Sequence, residues 1–319
     1  MMPDISVVIP TCDRRDLLRL ALFSVLSQND VGIEVIVVDD ASTDGTADMV
    51  SGFADRRVRV VRQTSSGGVS AARNRGIADA GGGWVAFLDD DDLWAPQKLA
   101  LQLDAATRSS RTWVYAGDVN IDDDLRVLTA FAPPTPEQVM ERLPRYNPVP
   151  SGASNVLVRG DALAEAGPFD PGLKRTEDWD MWIRVARTGP PAFVPRPLVA
   201  YRFHSANIAE ETTAVVEEAD RLAARHGITV DRAAMQRRAA WISLRAGDRR
   251  RAIRHYARAV AMGDVRSAAR AAVALVHPAV GSNRVFGLLP ESPSDDARRR
   301  EAQDWLDDLS RLEAAAPRP

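Results

Sequence analysis

The first hundred residues alternate between short apolar runs and segments whose apolar residues recur at helical spacing. The apolar runs predict buried strands at residues 5–9, 34–38, 58–61 and 84–88. Between them, the three- and four-residue spacing of apolar positions predicts helices at residues 16–27, 46–53 and 69–80. Strands separated by helices indicate an α/β fold with a doubly wound, mostly parallel sheet and helices on both faces.

The regular alternation weakens after the fourth predicted strand. Further strands are predicted at residues 113–118, 153–158 and 198–203, and a helix at residues 177–187. Residues 133–150 are rich in proline and are expected to form a mobile loop. We therefore expect residues 1–209 to form the α/β domain.

Residues 210–319 are rich in Ala, Arg and Glu with helical periodicity, which predicts an all-α accessory region. Near residues 240–275 the pattern predicts a helical hairpin that turns at Gly247. This hairpin loosely follows the tetratricopeptide pattern at Leu244, Gly247, Ala252, Tyr256 and Ala259. One such unit is weak evidence for a repeat array. A further helix is predicted at residues 295–315.

Two groups of aspartates directly follow predicted strands, Asp39 and Asp40 after the second and residues 89–92 after the fourth. The carboxyl ends of parallel strands are the edge at which such sheets bind ligands. Adjacent carboxylates repel one another, and a hard divalent cation that shares its ligand shell with phosphates relieves this repulsion. The sequence thus predicts a Mg²⁺ or Mn²⁺ site facing a diphosphate; the alternative is a solvated acidic turn.

Composition narrows the class of protein further. A net charge of −3 argues against general nucleic-acid binding, which requires a basic surface. The single cysteine, Cys12, excludes an internal disulfide and favours a reducing compartment. Neither a signal peptide nor a membrane-length apolar segment is expected, so we predict a cytoplasmic protein.

The turn after the first strand argues against three common nucleotide-binding classes. Residues 10–15 (PTCDRR) contain no glycine, whereas a nicotinamide-binding Rossmann fold requires Gly-x-Gly-x-x-Gly there. The Gly-Lys-Ser/Thr of a P-loop is also absent from the sequence. A sugar nucleotidyltransferase would need a glycine-rich, arginine-bearing loop at the same turn.

Five motifs, in this order, resemble those of family 2 glycosyltransferases with the GT-A fold, and the resemblance covers about residues 4–208. They are residues 5–11 (ISVVIPT), 37–46 (VVDDASTDGT), 71–76 (AARNRG), 87–92 (FLDDDD) and 177–180 (EDWD). The family's processive synthases carry Gln-x-x-Arg-Trp and membrane spans, which this sequence lacks. The resemblance therefore implies an enzyme that adds one sugar with inversion of the anomeric centre.

The resemblance implies a nucleotide-sugar donor, with UDP as the expected nucleotide. It assigns Asp40 to the base, where a carboxylate accepts the uracil N3–H, and gives Asp39 a supporting role. Pro10 and Cys12 would lie in the adjacent turn of the donor site. The alternative is that Asp40 merely caps the following helix.

The resemblance also assigns the aspartate run. Asp91 would be the direct metal ligand, Asp89 would belong to the same metal motif and donor site, and Asp90 would lie near the ribose. Asp92 is an extra acid outside this motif. His204 would complete the metal shell or contact the diphosphate, although a lone histidine is more often structural.

Three further residues are candidates for the reaction itself. The resemblance places the general base at Asp178, with Glu177 in reserve; the alternative is that these acids only stabilise a helix N-terminus. Arg73 is expected to contact phosphate or the base, unless it is an ordinary surface arginine.

The acceptor is expected to be a hydroxyl of a glycan, a lipid-linked sugar or a small molecule. Arginines at residues 249–258 form a basic helix, for which a solvated face is the default and docking to an anionic membrane surface the alternative. A non-catalytic sugar-nucleotide-binding or scaffold protein, with the helical tail as its interaction surface, is the alternative function. The sequence does not indicate the oligomeric state.

Overall fold

The computed structural model describes residues 3–203, 211–245, 247–276 and 293–315. In this part of the chain nine strands form one sheet. The strands are β1 (Ile5–Thr11), β2 (Ile33–Asp39), β3 (Val58–Arg62), β4 (Trp84–Phe87), β5 (Leu93–Trp94), β6 (Trp113–Ile121), β7 (Val127–Thr129), β8 (Leu157–Arg159) and β9 (Ala192–Arg202).

The sheet is parallel on one side and mixed on the other. Its order is β3-β2-β1-β4-β8-β6-β9-β5, and β7 pairs with β6. Strands β3, β2, β1 and β4 run parallel, whereas β8 is antiparallel to both of its neighbours. The predicted α/β class is confirmed.

Helices cover both faces of this sheet and continue beyond it. They are α1 (Arg15–Leu26), α2 (Thr46–Ser51), α3 (Gly68–Ala78), α4 (Lys98–Ser109), α5 (Pro136–Arg142), α6 (Gly160–Ala166), α7 (Glu177–Val185), α8 (Glu211–His226), α9 (Arg232–Arg245), α10 (Arg249–Ala261), α11 (Arg266–Val276) and α12 (Pro293–Ala315). No helix in the described ranges is both long enough and apolar enough to cross a membrane.

Two segments differ from the sequence prediction. The segment expected to be a mobile loop contains helix α5, which begins with a capping box between Thr135 and Gln138. Its Pro136 occupies the first helical turn, where the missing N–H is harmless. The strand expected at residues 153–158 begins only at Leu157, because residues Gly152–Asn155 form a 3₁₀ turn.

The alternation of side chains along the strands builds two apolar cores. In β1, Ile5 and Val7 face the core that contains α1 and α4, whereas Val8 faces the core that contains α7. In β4, Ala86 packs in the first of these cores and Phe87 in the second. Burial on both faces explains why these strands are almost uninterrupted apolar runs.

The C-terminal helices do not form one separate layer. Helix α12 packs on the sheet through Ala302, Trp305, Leu306 and Leu309. The Trp305 indole N–H donates to the Pro197 carbonyl at 3.1 Å. Helices α9 and α10 pack against each other around Leu244 and Tyr256, with Gly247 in the turn at a φ of 74°. The domain division at residue 209 stays a prediction, and α12 belongs structurally with the sheet.

Candidate active site

The predicted site residues that the structure describes lie around one end of the sheet, as the topology requires. Strands β1, β2 and β4 end side by side at Thr11, Asp39 and Phe87. A cavity of about 780 Å³ adjoins this edge. Both Asp89 and Asp178 line it, although they are far apart in sequence.

Asp40 lies at the carboxyl end of β2 and holds the loop that leads into α3. Its carboxylate accepts hydrogen bonds from the Ser66 hydroxyl at 2.7 Å and from the backbone N–H groups of Gly67 and Gly68 at 2.8 and 2.9 Å. A carboxylate offers about four lone-pair positions. Three of these positions on Asp40 are therefore occupied by protein donors.

Asp39 is fully enclosed, which separates its role from that of Asp40. One of its oxygens accepts from the Ser42 N–H at 2.8 Å, and Arg62 lies 3.6 Å from the other. The adjoining turn contains the buried Pro10 and the exposed thiol of Cys12, which donates to the Asp40 carbonyl at 3.4 Å. The Asp39 carboxylate thus holds the loop after β2 through Ser42, and its supporting role in a donor site stays a prediction.

Arg14 is a site residue that sequence reasoning missed. Its guanidinium donates to Asp91 at 2.8 Å and to Asp90 at 3.1 Å. Asp90 also accepts from the Thr11 hydroxyl at 2.7 Å, which ties the aspartate run to β1. Burial raises the pKa of Asp90 to about 6, and the charge of Arg14 opposes this shift.

The fourth aspartate of the run is structural. Asp92 is fully buried and accepts the backbone N–H of Arg202 at 3.0 Å, while the Arg202 side chain donates to the Asp91 carbonyl at 3.1 Å. Burial, and then the charges of Asp91 and Asp89, raise the pKa of Asp92 well above its usual range. These contacts fix the aspartate run against β9.

The chemistry of the aspartate run fits a hard divalent cation. Asp89 and Asp91 offer carboxylate oxygens, the ligand type that Mg²⁺ and Mn²⁺ prefer, and Mg²⁺ sites commonly take their remaining ligands from water and substrate phosphates. Within the described ranges no three acidic, histidine or cysteine residues are arranged to hold a metal by themselves. His204, the predicted additional ligand, lies outside the described residues.

Arg73 joins the aspartate run to the candidate base. It is buried and donates to Asp89 at 2.6 Å and to Glu177 at 2.9 Å. Its guanidinium also lies 5.4 Å from the centre of the Phe169 ring. A direct contact with phosphate stays a prediction; the observed contacts make Arg73 a link between β4 and α7.

Asp178 is the more accessible of the two acids at the start of α7. One of its oxygens accepts from the Asn147 side chain at 2.9 Å and the other from the Trp179 N–H at 2.6 Å. Burial, and then the Glu177 carboxylate, raise the pKa of Asp178 to about 7, while Arg73 opposes this effect. A proton acceptor with this pKa suits general base catalysis near neutral pH.

Gly152 gives Asp178 the space that it needs. A Cβ atom at this position would lie 2.6 Å from a carboxylate oxygen of Asp178, and the glycine has a φ of 50°. The turn Gly152–Asn155 also places the Ser154 hydroxyl 3.1 Å from the Asp89 N–H. This turn therefore contacts both the candidate base and the aspartate run.

Helix α8 supports the start of α7 from the C-terminal side of the chain. The buried Glu218 carboxylate accepts from the N–H groups of Lys174, Arg175 and Thr176 at 3.0, 2.9 and 3.1 Å. These are backbone donors just before the helix that carries Asp178. The tail is thus part of the support of the site.

Removing this support should destabilise the protein more than it weakens donor binding. In Glu218→Ala, three backbone N–H groups, of which that of Thr176 is buried, lose their acceptor, and each loss costs on the order of 1 kcal/mol. We expect a decrease of about 2–4 kcal/mol in the free energy of unfolding, measured with urea. The neighbouring, exposed Glu217 provides the control: Glu217→Ala should leave stability unchanged, and equal effects of the two variants would contradict this role for Glu218.

A curled α/β sheet whose carboxyl edge gathers aspartates, facing a helix that begins with two acids, has the arrangement of a GT-A glycosyltransferase. The sequence model of "Glycosyl transferase family 2" matches residues 6–151. The chain is 30% identical over 230 residues to the putative teichuronic acid biosynthesis glycosyltransferase TuaG of Bacillus subtilis, covering 69% of this chain and 90% of that one. The chain belongs to glycosyltransferase family 2, which favours an enzyme over a scaffold.

Other relatives extend this likeness. The succinoglycan biosynthesis protein ExoO of Rhizobium meliloti is 33% identical over 160 residues, which are 50% of this chain and 45% of that protein. Among solved structures, S. aureus TarS 1-349 in complex with UDP-GlcNAc gives a TM-score of 0.58 at 16% identity, with 97% of this chain and 92% of that chain covered. This likeness confirms the predicted GT-A fold.

Proposed function

We propose that this enzyme transfers one sugar from a UDP-sugar to an acceptor hydroxyl, with metal dependence and inversion of the anomeric centre. The observation that carries the proposal is the cavity that Asp89 and Asp178 share. One acid lies on the predicted metal motif and the other has the pKa of a general base. TarS structures hold UDP and UDP-GlcNAc, which supports a UDP-sugar donor.

The relatives also support the class of acceptor. An Escherichia coli protein that is 26% identical over 183 residues, 57% of this chain and 70% of that one, is named UDP-Glc:alpha-D-GlcNAc-diphosphoundecaprenol beta-1,3-glucosyltransferase WfgD. Together with TuaG and ExoO, named for teichuronic acid and succinoglycan biosynthesis, it supports a glycan or lipid-linked acceptor and a role in cell-envelope polysaccharide synthesis.

In the proposed reaction, Asp178 accepts the proton of the acceptor hydroxyl as that oxygen attacks the anomeric carbon opposite the departing diphosphate. Asn147 and the Trp179 N–H hold the two carboxylate oxygens and so orient them. Glu177 is held by Arg73 and is more enclosed, which makes it the weaker candidate for the base. A Mg²⁺ or Mn²⁺ ion held by Asp89 and Asp91 would supply positive charge against the leaving group.

The proposed base contact can be tested at Asp40. Asp40→Ala removes an acceptor for the uracil N3–H, so we expect UDP binding to weaken by about 1.5–3 kcal/mol in calorimetry. Asp44 offers the control because it accepts from the Arg15 and Thr46 N–H groups near the start of α2. Asp44→Ala should lower thermal stability with little effect on the affinity for UDP. If the two variants lost the same affinity for UDP, Asp40 would have only a structural role.

We also propose a cytoplasmic enzyme that contacts the inner face of the membrane through α10. Arg250, Arg254 and Arg258 are exposed at four-residue spacing and form one basic stripe on this helix. Anionic lipid surfaces attract such residues by about 1 kcal/mol each. Replacing all three with Ala should reduce sedimentation with phosphatidylserine vesicles. Unchanged sedimentation, or equal binding to neutral vesicles, would show that the stripe is only solvated.

A further inference from the structure

The cavity that contains Asp178 extends from the sheet onto helix α9. Residues of this helix line it, among them Arg237, Arg238 and Trp241. A chain segment in the predicted accessory region therefore faces the same space as the candidate base. Since the donor site lies toward the aspartate run, α9 borders the part of the cavity that remains for an acceptor.

Charge is distributed unevenly around this cavity. Its acidic lining residues all belong to the sheet edge and α7: Asp89, Asp118, Glu177 and Asp178. The charged residues that α9 contributes, Arg237 and Arg238, are both cations. Lys174 and Arg175, on the loop before α7, add two more. An acceptor that reached Asp178 past α9 would thus pass a positively charged wall.

Arg238 differs from its neighbour in what it contacts. Arg237 donates to Asp264 at 2.9 Å and is therefore engaged within the tail. Arg238 is exposed, and no hydrogen bond or ion pair joins it to another described residue. Arg238, Asp118 and Asp178 line the same cavity. Burial raises the pKa of both Asp118 and Asp178, and the charge of Arg238 partly opposes this rise.

Aromatic rings stand beside this cation. The Trp241 ring lies 5.7 Å from that of Phe203, at an interplanar angle of 72°. Both rings, together with Tyr201, line the cavity. Aromatic side chains that share a cavity with a guanidinium suit a ligand with a ring face and an anionic substituent, because arginine binds phosphate through paired N–H donors.

We propose that α9 forms an acceptor subsite for a sugar that carries a phosphate or diphosphate group, with Arg238 on the phosphate and Trp241 beside the sugar ring. The inference rests on the proposed glycosyl transfer and adds the chemical class of its acceptor. It also gives the helical tail a direct part in substrate recognition.

The test measures acceptor binding by calorimetry while UDP and Mn²⁺ saturate the donor site. Glucose and N-acetylglucosamine are each offered as a neutral methyl glycoside, as the 1-phosphate and as the farnesyl diphosphate. For at least one sugar the 1-phosphate should bind about tenfold more tightly than the methyl glycoside, the scale of a hydrogen bond to a charged group. A further gain with the farnesyl diphosphate indicates a lipid-linked acceptor, and no gain indicates a phosphorylated glycan.

Variants at Arg238 distinguish a direct contact between this residue and the phosphate from a general effect on acceptor binding. Arg238→Ala should abolish the preference for phosphorylated probes, and Arg238→Lys should retain part of it. Arg232 offers the matched control, because it lies on the same helix, pairs with Asp220 and does not line the cavity. Arg232→Ala should keep the full preference, and UDP binding should be normal in all three variants.

Two results would overturn the inference: equal binding of neutral and phosphorylated probes by the wild-type protein, or a preference that survives in Arg238→Ala. Both leave the proposed function intact if UDP binds normally. Failure of the wild-type protein to bind UDP with Mn²⁺ would instead overturn the proposed function itself, so the two failures are distinguishable.

Discussion

Asp178→Asn should reduce turnover by about 10²–10⁴-fold, the usual contribution of a general base, while donor binding survives. Asparagine keeps the size of the side chain and can still accept the Trp179 N–H, but it has no carboxylate to take the acceptor proton. The measurement is transfer rate together with the dissociation constant for UDP. Since Arg73 engages Glu177 directly, Glu177→Gln should perturb packing more than catalysis and lower turnover less.

The rate should also depend on pH in a defined direction. Asp178 must be deprotonated to act as a base, and its pKa is raised to about 7. Turnover at saturating substrate should therefore rise with pH through this region and level off above it. Asp178→Asn should remove this dependence from its residual activity. A residual rate with the same pH profile, or retention of the anomeric configuration in the product by NMR, would contradict the assignment.

Asp91→Asn should abolish the additional stabilisation that Mn²⁺ gives to the UDP-bound protein. The substitution removes one anionic oxygen ligand from a predicted metal site whose other predicted ligands are Asp89 and His204. A ligand that binds only the native state stabilises it by RT ln(1 + [L]/Kd), so a melting-temperature screen with UDP, Mn²⁺ and EDTA measures the loss. The wild-type protein should lose the same increment when EDTA removes the metal.

The control for this experiment is an aspartate outside the site. Asp124 is exposed in the turn after β6. Asp124→Asn should therefore behave like the wild-type protein with UDP alone, with UDP and Mn²⁺, and after EDTA. The Asp91 variant should remain folded, because the apolar strand β4 is unchanged and Asp92 still anchors the loop to β9. Normal stabilisation of Asp91→Asn by UDP and Mn²⁺ would show that the aspartate run has been assigned wrongly.

The parallel half of the fold was predictable because its signals are local. Each of the strands β1 to β4 is an apolar run, and observed boundaries differ from the predicted ones by two residues at most. Helix α5 was missed because Pro133 and Pro134 indicate a loop, although Thr135 and Gln138 also carry a capping signature. The capping box, with Pro136 in the first helical turn, is itself a signal for the start of a helix.

Of the candidate site, mainly the acidic residues could be predicted from the sequence. Asp40, the aspartate run and Asp178 follow from strand ends and motif order. The Asn147 contact with Asp178 spans 31 residues, and that of Glu218 with Thr176 spans 42. Neither contact leaves a periodic or compositional signal. Such partners are set by how the sheet and helices meet, so they could be recognised only in the folded structure.

The packing of α12 on the sheet has a consequence for how the protein is made. Residues 293–315 are synthesised after all the strands of the sheet, yet their apolar side chains cover the sheet beside β9 and contact α1. A nascent chain in which the strands are complete but α12 has not yet been made still exposes that apolar surface to solvent and to chaperones. Final consolidation of the sheet must therefore wait until α12 has been synthesised.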